Sequence, residues 1–261
     1  MTTFLDLHVP GTPLLMPNPW DAGSAKLLAS LGFEALATTS SGFAATLGRL
    51  DGSVTRDEAI EHSATIAQAT DLPVNGDLEN GFADDAAGVA ETVRLALGAG
   101  LAGCSIEDWS GVAIYEPEHA AERIAAAAEA AHRGDDRLVL TARAENHIHG
   151  HDDLDDTIAR LQAFQEAGAD VLYAPGLTKL EDIRQVVSSV DRPVNVLALP
   201  SAPPVSELAE AGVSRISIGG GFAYVAMGAV VEAARELRED GTYGFWDTAG
   251  VGVKAWRDAQ H

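Results

Sequence analysis

Residues 155–176 read DDTIARLQAFQEAGADVLYAPG, and the order of features within them decides the fold. An acidic start leads into an amphipathic, alanine- and leucine-bearing segment of helical pattern, and Gly168 closes it where helices commonly end in a left-handed residue. DVLYAPG follows, a short apolar run stopped by Pro-Gly, which reads as a buried strand. Helix, stop and strand thus fit within about 25 residues, too few for anything but a single β-α unit.

The same unit recurs along the chain. Short apolar runs stand at 13–19 (PLLMPNP), 34–40 (EALATTS), 73–79 (PVNGDLE), 103–109 (GCSIEDW), 138–145 (LVLTARAE), 170–176 (DVLYAPG), 193–200 (PVNVLALP) and 215–221 (RISIGGG). Segments such as AGVAETVRLALGAG at 87–100 separate them. Strands that are continuously apolar, spaced by helices at a period of about 30 residues, are parallel and covered on both faces. Eight of them predict a (β/α)8 TIM barrel, for which 261 residues is an ordinary length. An open doubly wound sheet is the rival, but the glycine-rich GxGxxG turn that marks it is missing after the first two strands. No linker or shift of composition divides the chain, so we expect a single barrel domain over 1–240. A C-terminal helical, aromatic extension over 241–261 follows, packing on the barrel or on another subunit, or else lying on the surface.

Seventeen basic against 39 acidic side chains give a net charge of −22, which opposes nucleic acid and anionic lipid as partners. A small molecule is the expected ligand, and any anion site has to be a local exception built from an arginine, a metal or helix N-termini. The single cysteine, Cys104, excludes an internal disulfide framework. No apolar stretch approaches the roughly 18 residues of a membrane span, and the first residues lack a signal pattern. A cytoplasmic protein is therefore expected.

Barrel enzymes place their chemistry at the C-terminal ends of the strands. Asp77 and Glu79 end the third run, Glu107 and Asp108 the fourth, and Arg143, Glu145, Asn146 and His147 the fifth, while Asn195 lies in the seventh. Side chains at i and i+2 of a strand share a face, so Asp77 and Glu79 should point together, with Glu107 beside them. Such neighbours raise one another's pKa unless a hard cation keeps them ionised. Oxygen donors without thiolates or a histidine pair favour magnesium over zinc. Arg143 either holds a substrate carboxylate in its planar fork or pairs with Glu145 or Glu107. Ser41, Gly42 and Phe43 offer a turn of amides for a carboxylate or enolate oxygen. NHIHGHDD at 146–153 reads mostly as loop, with His147 the histidine nearest the pocket, and GGGF at 219–222 is either an amide anion site or a tight turn.

Taken together, these pieces resemble the isocitrate lyase and phosphoenolpyruvate mutase superfamily over nearly the full length. The matching stretches are NPWDAGSAKLLASLGFEALATTSSGFAATLG (18–48), PVNGDLENGF (73–82), GCSIED (103–108), LTARAENHIHG (140–150), AGADVLYAPGL (167–177) and VNVLALP (194–200). The resemblance implies a Mg2+ site, with Mn2+ as the substitute, at Asp77, Glu79 and Glu107, with Asp51 similar to the family's more distant aspartate. It also implies that Arg143 binds a carboxylate and that the Ser41, Gly42 and Phe43 turn holds the pyruvyl group, and Asn195, from its place in the seventh run, is expected to bind the substrate with them. Glu79 departs from the mutase pattern, which has aspartate there. WSGVAIYEPEH at 109–119 departs further, since lyases of the family carry a KKCGH- or KRCGH-like loop in its place, whose cysteine acts as an acid.

Without that thiol, a simpler lyase is expected: Mg2+-dependent decarboxylation or C–C cleavage of an oxaloacetate-like 2-oxo acid through an enolate. Glu107, Asp51 and Arg143 would serve the reaction, and water, Glu145 or His147 would return the proton. Two alternatives stay open. One is C–P chemistry of the phosphonopyruvate hydrolase or phosphoenolpyruvate mutase kind, and the other is a protein that binds a 2-oxo acid without turning it over. The family commonly forms homodimers and homotetramers, so a homo-oligomer is expected.

Overall fold

The structure, a computed structural model, describes residues 3–133 and 137–260. Eight strands form one sheet: β1 (Leu14–Met16), β2 (Leu36–Ala37), β3 (Val74–Asp77), β4 (Gly103–Glu107), β5 (Val139–Arg143), β6 (Val171–Tyr173), β7 (Val194–Leu197) and β8 (Arg215–Ser217). Their order is β1-β8-β7-β6-β5-β4-β3-β2, every adjacent pair being parallel. Across the remaining seam the Ala37 amide donates to the Pro17 carbonyl at 3.0 Å, so the sheet is a nearly closed (β/α)8 barrel.

Helices α1 (Ala22–Ser30), α2 (Ser40–Thr46), α3 (Arg56–Ala67), α4 (Ala86–Gly98) and α5 (Pro117–Ala131) alternate with the first five strands, α2 and α3 both following β2. Then come α6 (Leu154–Glu166), α7 (Leu180–Ser189), α8 (Val205–Glu210), α9 (Gly221–Arg235) and α10 (Trp246–Asp258). The stretch at 155–176 folds as its sequence requires. Asp153 caps α6 by accepting the Asp156 amide, and Gly168 sits at φ +103°, where a Cβ would also lie 2.9 Å from the Ala128 methyl.

The main apolar cluster lies between the sheet and its helices, built from residues such as Leu140, Leu172 and Ile216 on the strands and Val93, Ile124 and Leu161 on the helices. A smaller one, with Leu14, Val139 and Val171 around Phe4, fills the N-terminal end of the barrel. Above it the interior turns polar, and the charged strand ends form the mouth. The last two helices behave differently: α9 buries only Ala223, and α10 buries no residue. Among the described residues no helix is long and apolar enough to cross a membrane.

Candidate active site

A cavity of about 790 Å³ opens at the C-terminal ends of the strands. Arg143, the last residue of β5, is its hub. The guanidinium pairs with Asp77 through Nη1 (3.0 Å), with Glu107 through Nη2 (3.2 Å) and with Glu145 through Nε (2.8 Å), and it stands 5.2 Å from the Tyr173 ring centre. Three neighbouring strands bring these groups together, because Glu107 on β4 is the register partner of Arg143 and Asp77 ends β3 on the other side of β4. Burial works against the Arg143 charge, but Glu145, Glu107 and Asp77 outweigh it and hold its pKa well above the ordinary value. The ion pairs weighed from sequence are thus both present.

Glu79 reaches this cavity by a different route from the one its spacing predicts. β3 stops at Asp77, and Glu79 adopts φ +48°, a left-handed conformation that breaks strand alternation and costs energy in a residue with a Cβ. The turn is pinned to β4 on both sides: the Leu78 amide donates to the Ser105 carbonyl (3.3 Å), and the Glu107 amide donates to the Glu79 carbonyl (3.0 Å). Glu79 and Asp77 therefore line one cavity without sharing a strand face. Glu79 Oε1 is buried with no hydrogen-bond partner among the described residues, and burial, then Asp77 and Asp51, push its carboxyl up to about 7. Burial likewise raises Glu107 well above the carboxylate range. Asp77 Oδ2 accepts the Ser40 amide at the start of α2 (3.1 Å), while Asp51 joins the wall from an exposed turn.

This donor set fits a hard divalent cation. It offers carboxylate oxygens, an orphaned Oε1 and more negative charge than Arg143 can balance. In the present arrangement the acids grip the guanidinium, and among the described residues no three acid, histidine or cysteine groups converge around a common point.

The remaining predicted positions fall as follows. Ser40 and Ser41 line the cavity, but the Gly42 amide is taken by Thr39 Oγ1 (3.2 Å) and the Phe43 amide by the Thr39 carbonyl (3.0 Å), since these residues form the first turn of α2 rather than an open loop. Gly42 is needed for space: a Cβ there would stand 2.6 Å from Thr39 Cγ2. Phe43 stacks on His62, 3.8 Å between ring centres, outside the main cavity. The glycine run after β8 is a tight turn whose Ile218 and Gly219 amides both donate to Asn18 Oδ1 at 2.9 Å. His147 turns toward Asp152 (3.5 Å) and does not line the cavity, because a 3-10 turn over His147–His149 swings His149 inward instead. Cys104 is buried in the sheet–helix core, where burial raises its thiol to about 12.

Sequence reasoning missed several wall residues, and it named Asp108 at a strand end without finding its role. Trp109 and His149, from the loops after β4 and β5, stack at 3.6 Å across the mouth. Asp108 is buried and accepts the Glu145 amide (2.8 Å) and Arg160 Nη1 (3.1 Å), so it positions Glu145. Tyr173, Arg215 and Ser217 complete the floor. The signal for these last three was strand alternation on β6 and β8, which puts them inside the barrel with Asn195.

Residues 4–238 match the phosphoenolpyruvate phosphomutase family. Oxaloacetate decarboxylase 2 of Pseudomonas fluorescens Pf0-1 is 32% identical over 238 residues, covering 86% of this chain and 79% of the relative. Among solved structures, a lyase/mutase-type protein from Burkholderia cenocepacia J2315 superposes with a TM-score of 0.90 at 51% identity, covering 93% and 89% of the two chains. A phosphonopyruvate hydrolase in complex with oxalate and Mg2+ gives a TM-score of 0.80 at 25% identity, covering 92% and 87%.

Proposed function

The chain belongs to the phosphoenolpyruvate phosphomutase family, and from that premise we propose that it is a Mg2+-dependent carbon–carbon lyase. Its substrate in this reading is a small 2-oxo dicarboxylic acid of the oxaloacetate kind, decarboxylated or cleaved through an enolate. The observation that carries the reading is the ring of Asp77, Glu107 and Glu145 around Arg143, with Glu79 unpartnered beside it. Asp77, Glu79 and Glu107, with Asp51 alongside, would hold the Mg2+ or Mn2+ ion, which when bound supplies positive charge to the 2-oxo oxygen as the enolate develops.

Arg143 binds a substrate carboxylate by exchanging one of its acid partners for it. Ser41, whose amide lies in the unsatisfied first turn of α2, contacts the pyruvyl end, Gly42 and Phe43 support that turn, and Asn195 serves that end from the barrel floor through its hydrogen-bond partners. Glu145, locked by Asp108 and with His149 Nε2 3.9 Å from its Oε2, is the group we assign to return the proton, in preference to His147. The stacked Trp109 and His149 keep water from the mouth.

A panel of 2-oxo acids assayed with Mg2+, with and without EDTA, tests this directly. We expect turnover of an oxaloacetate-like acid that is lost with EDTA and in Asp77→Ala. Turnover indifferent to both would refute the metal reading. Phosphate released from phosphonopyruvate, with oxaloacetate untouched, would replace C–C by C–P cleavage, and binding without turnover would leave a 2-oxo acid receptor.

The protein is also proposed to act in the cytoplasm as a homodimer or homotetramer. Leu15, which points outward from β1, is 41% exposed, although parallel strands are normally covered by helices. On α9 and α10, Val225, Val230, Trp246 and Val251 are each more than 60% exposed. A second copy would cover both surfaces. Light scattering should report a dimer or larger, and Val230→Asp should shift it toward monomer.

A further inference from the structure

Arg215 is the second guanidinium of the cavity, and unlike Arg143 it has no carboxylate partner among the described residues. It is 1% exposed at the start of β8, and its contacts are all neutral. Nε donates to Asn195 Oδ1 (2.9 Å), Nη2 to Thr141 Oγ1 (3.0 Å) and Nη1 to His8 Nε2 (3.3 Å). His8 accepts there because its Nδ1 faces the Phe4 carbonyl at 3.0 Å and must carry the proton.

A guanidinium has donors and no acceptor, so it fixes the direction of each bond it makes. Asn195 has to present Oδ1 to Arg215, which leaves Nδ2 to donate to Ser217 Oγ at 3.0 Å. Ser217 therefore accepts from Asn195 and directs its own proton to another oxygen, which among the protein's own groups is the Tyr173 phenol, a bond that a bound anion would take over. Both Ser217 and Tyr173 line the cavity, Tyr173 one strand and Ser217 three strands from Arg143. Burial raises the Tyr173 phenol to about 12, so it too stays a donor.

We infer that Arg215, acting through Asn195, holds Ser217 as a hydrogen-bond donor to an oxygen of the bound oxo-acid anion. Arg215 is then a positioning residue and Ser217 a binding residue on the barrel floor. This deepens the reading of the cavity as a 2-oxo acid site and rests on it. The chain of bonds runs one way, from a buried charge to a hydroxyl facing the ligand, and a bond of this kind to a charged acceptor changes affinity by about tenfold or more.

The test is calorimetric titration of the full-length protein with oxalate in the presence of MgCl2, a measurement that needs no turnover. Ser217→Ala should weaken oxalate about tenfold. Asn195→Asp keeps the shape and sets a carboxylate against Arg215, so the thermal midpoint should hold or rise, yet the donor to Ser217 is gone and oxalate should weaken by a similar factor. The double variant should be no weaker than Ser217→Ala alone, because both changes cut one chain. Losses that multiply in the double variant, an unaffected Ser217→Ala, or an Asn195→Asp that loses stability along with affinity would overturn the inference. Oxalate binding by the wild type without turnover of any oxo acid would overturn only the proposed function. No oxalate binding at all would overturn both.

Discussion

Lowering the pH from about 8 to about 6 should weaken Mg2+ binding at least tenfold, because proton and cation compete for the Glu79 carboxyl. Burial, Asp77 and Asp51 hold that carboxyl at about 7 in the metal-free protein. One unit below that value roughly ten proteins in eleven carry the proton, and one unit above it roughly one in eleven, so the fraction ready for metal changes about tenfold. A carboxyl at the ordinary value, near 4.5, would be ionised at both ends and predicts almost no change. Glu107 is raised as well, and if its proton also has to leave within this window the change steepens toward about a hundredfold. The direction is fixed: affinity rises with pH. Calorimetric titration of MgCl2 into the substrate-free protein, at constant ionic strength across the window, reads it out. Glu79→Gln should lower the affinity and flatten its pH dependence to whatever Glu107 contributes. A wild-type affinity that moves less than about twofold, or a Glu79→Gln protein with the full dependence, would refute the assignment of Glu79 to the metal.

Arg143→Ala leaves Asp77, Glu107 and Glu145 facing one another in a half-closed site, so denaturant unfolding should show a loss of about 3–5 kcal/mol, partly restored by Mg2+. Gly42→Ala forces a methyl to within 2.6 Å of Thr39 Cγ2 and should cost about 1–3 kcal/mol in the same measurement. His8 has its pKa lowered to about 3 by burial and then by Arg215, against an ordinary 6.5. Between those values the unfolded chain takes up a proton that the folded chain refuses. The stability His8 supports is therefore complete above about pH 6.5 and lost as pH falls, at about 1.4 kcal/mol per unit. His8→Gln should flatten that part of an acid-unfolding curve.

The barrel was legible because its signals are local: each of the eight apolar runs contains one strand, even β2 with two residues. Acids at strand ends could be placed at the mouth for the same reason. Glu79 could not be placed correctly, since a left-handed glutamate carries no sequence mark and the turn that holds it is made by β4 amides and carbonyls 26 or more residues away. The exchange of His147 for His149 has a similar origin, as a 3-10 turn rotates by about 120° per residue where a strand alternates by 180°. Gly42 was read as an amide donor and serves instead as space beside Thr39, Trp20 and Ala223. The Trp109–His149 stack joins the loops after two adjacent strands, and it depends on the folded path of both loops, which no local pattern marks.

The charge of the cavity explains why an acidic chain would need a cation before it can take an anion. Asp51, Asp77, Glu79, Glu107 and Glu145 face two arginines, an excess of three negative charges when all are ionised. At about 5 Å and an effective dielectric constant near 20, each unbalanced charge opposes an incoming carboxylate by about 3 kcal/mol. Protonating Glu79 removes one charge, whereas a divalent cation removes two and adds a Lewis acid beside the oxo group. Cation and oxo acid should therefore bind with positive coupling, each raising the affinity of the other by the same factor. Within the cavity the two guanidiniums are not equivalent. Arg143 is already committed to three carboxylates, while among the described residues Arg215 has only neutral partners, so it is the cavity guanidinium that no carboxylate pairs with directly. That asymmetry would draw an anion past the acidic rim toward the floor of the barrel, where Ser217 would donate to it.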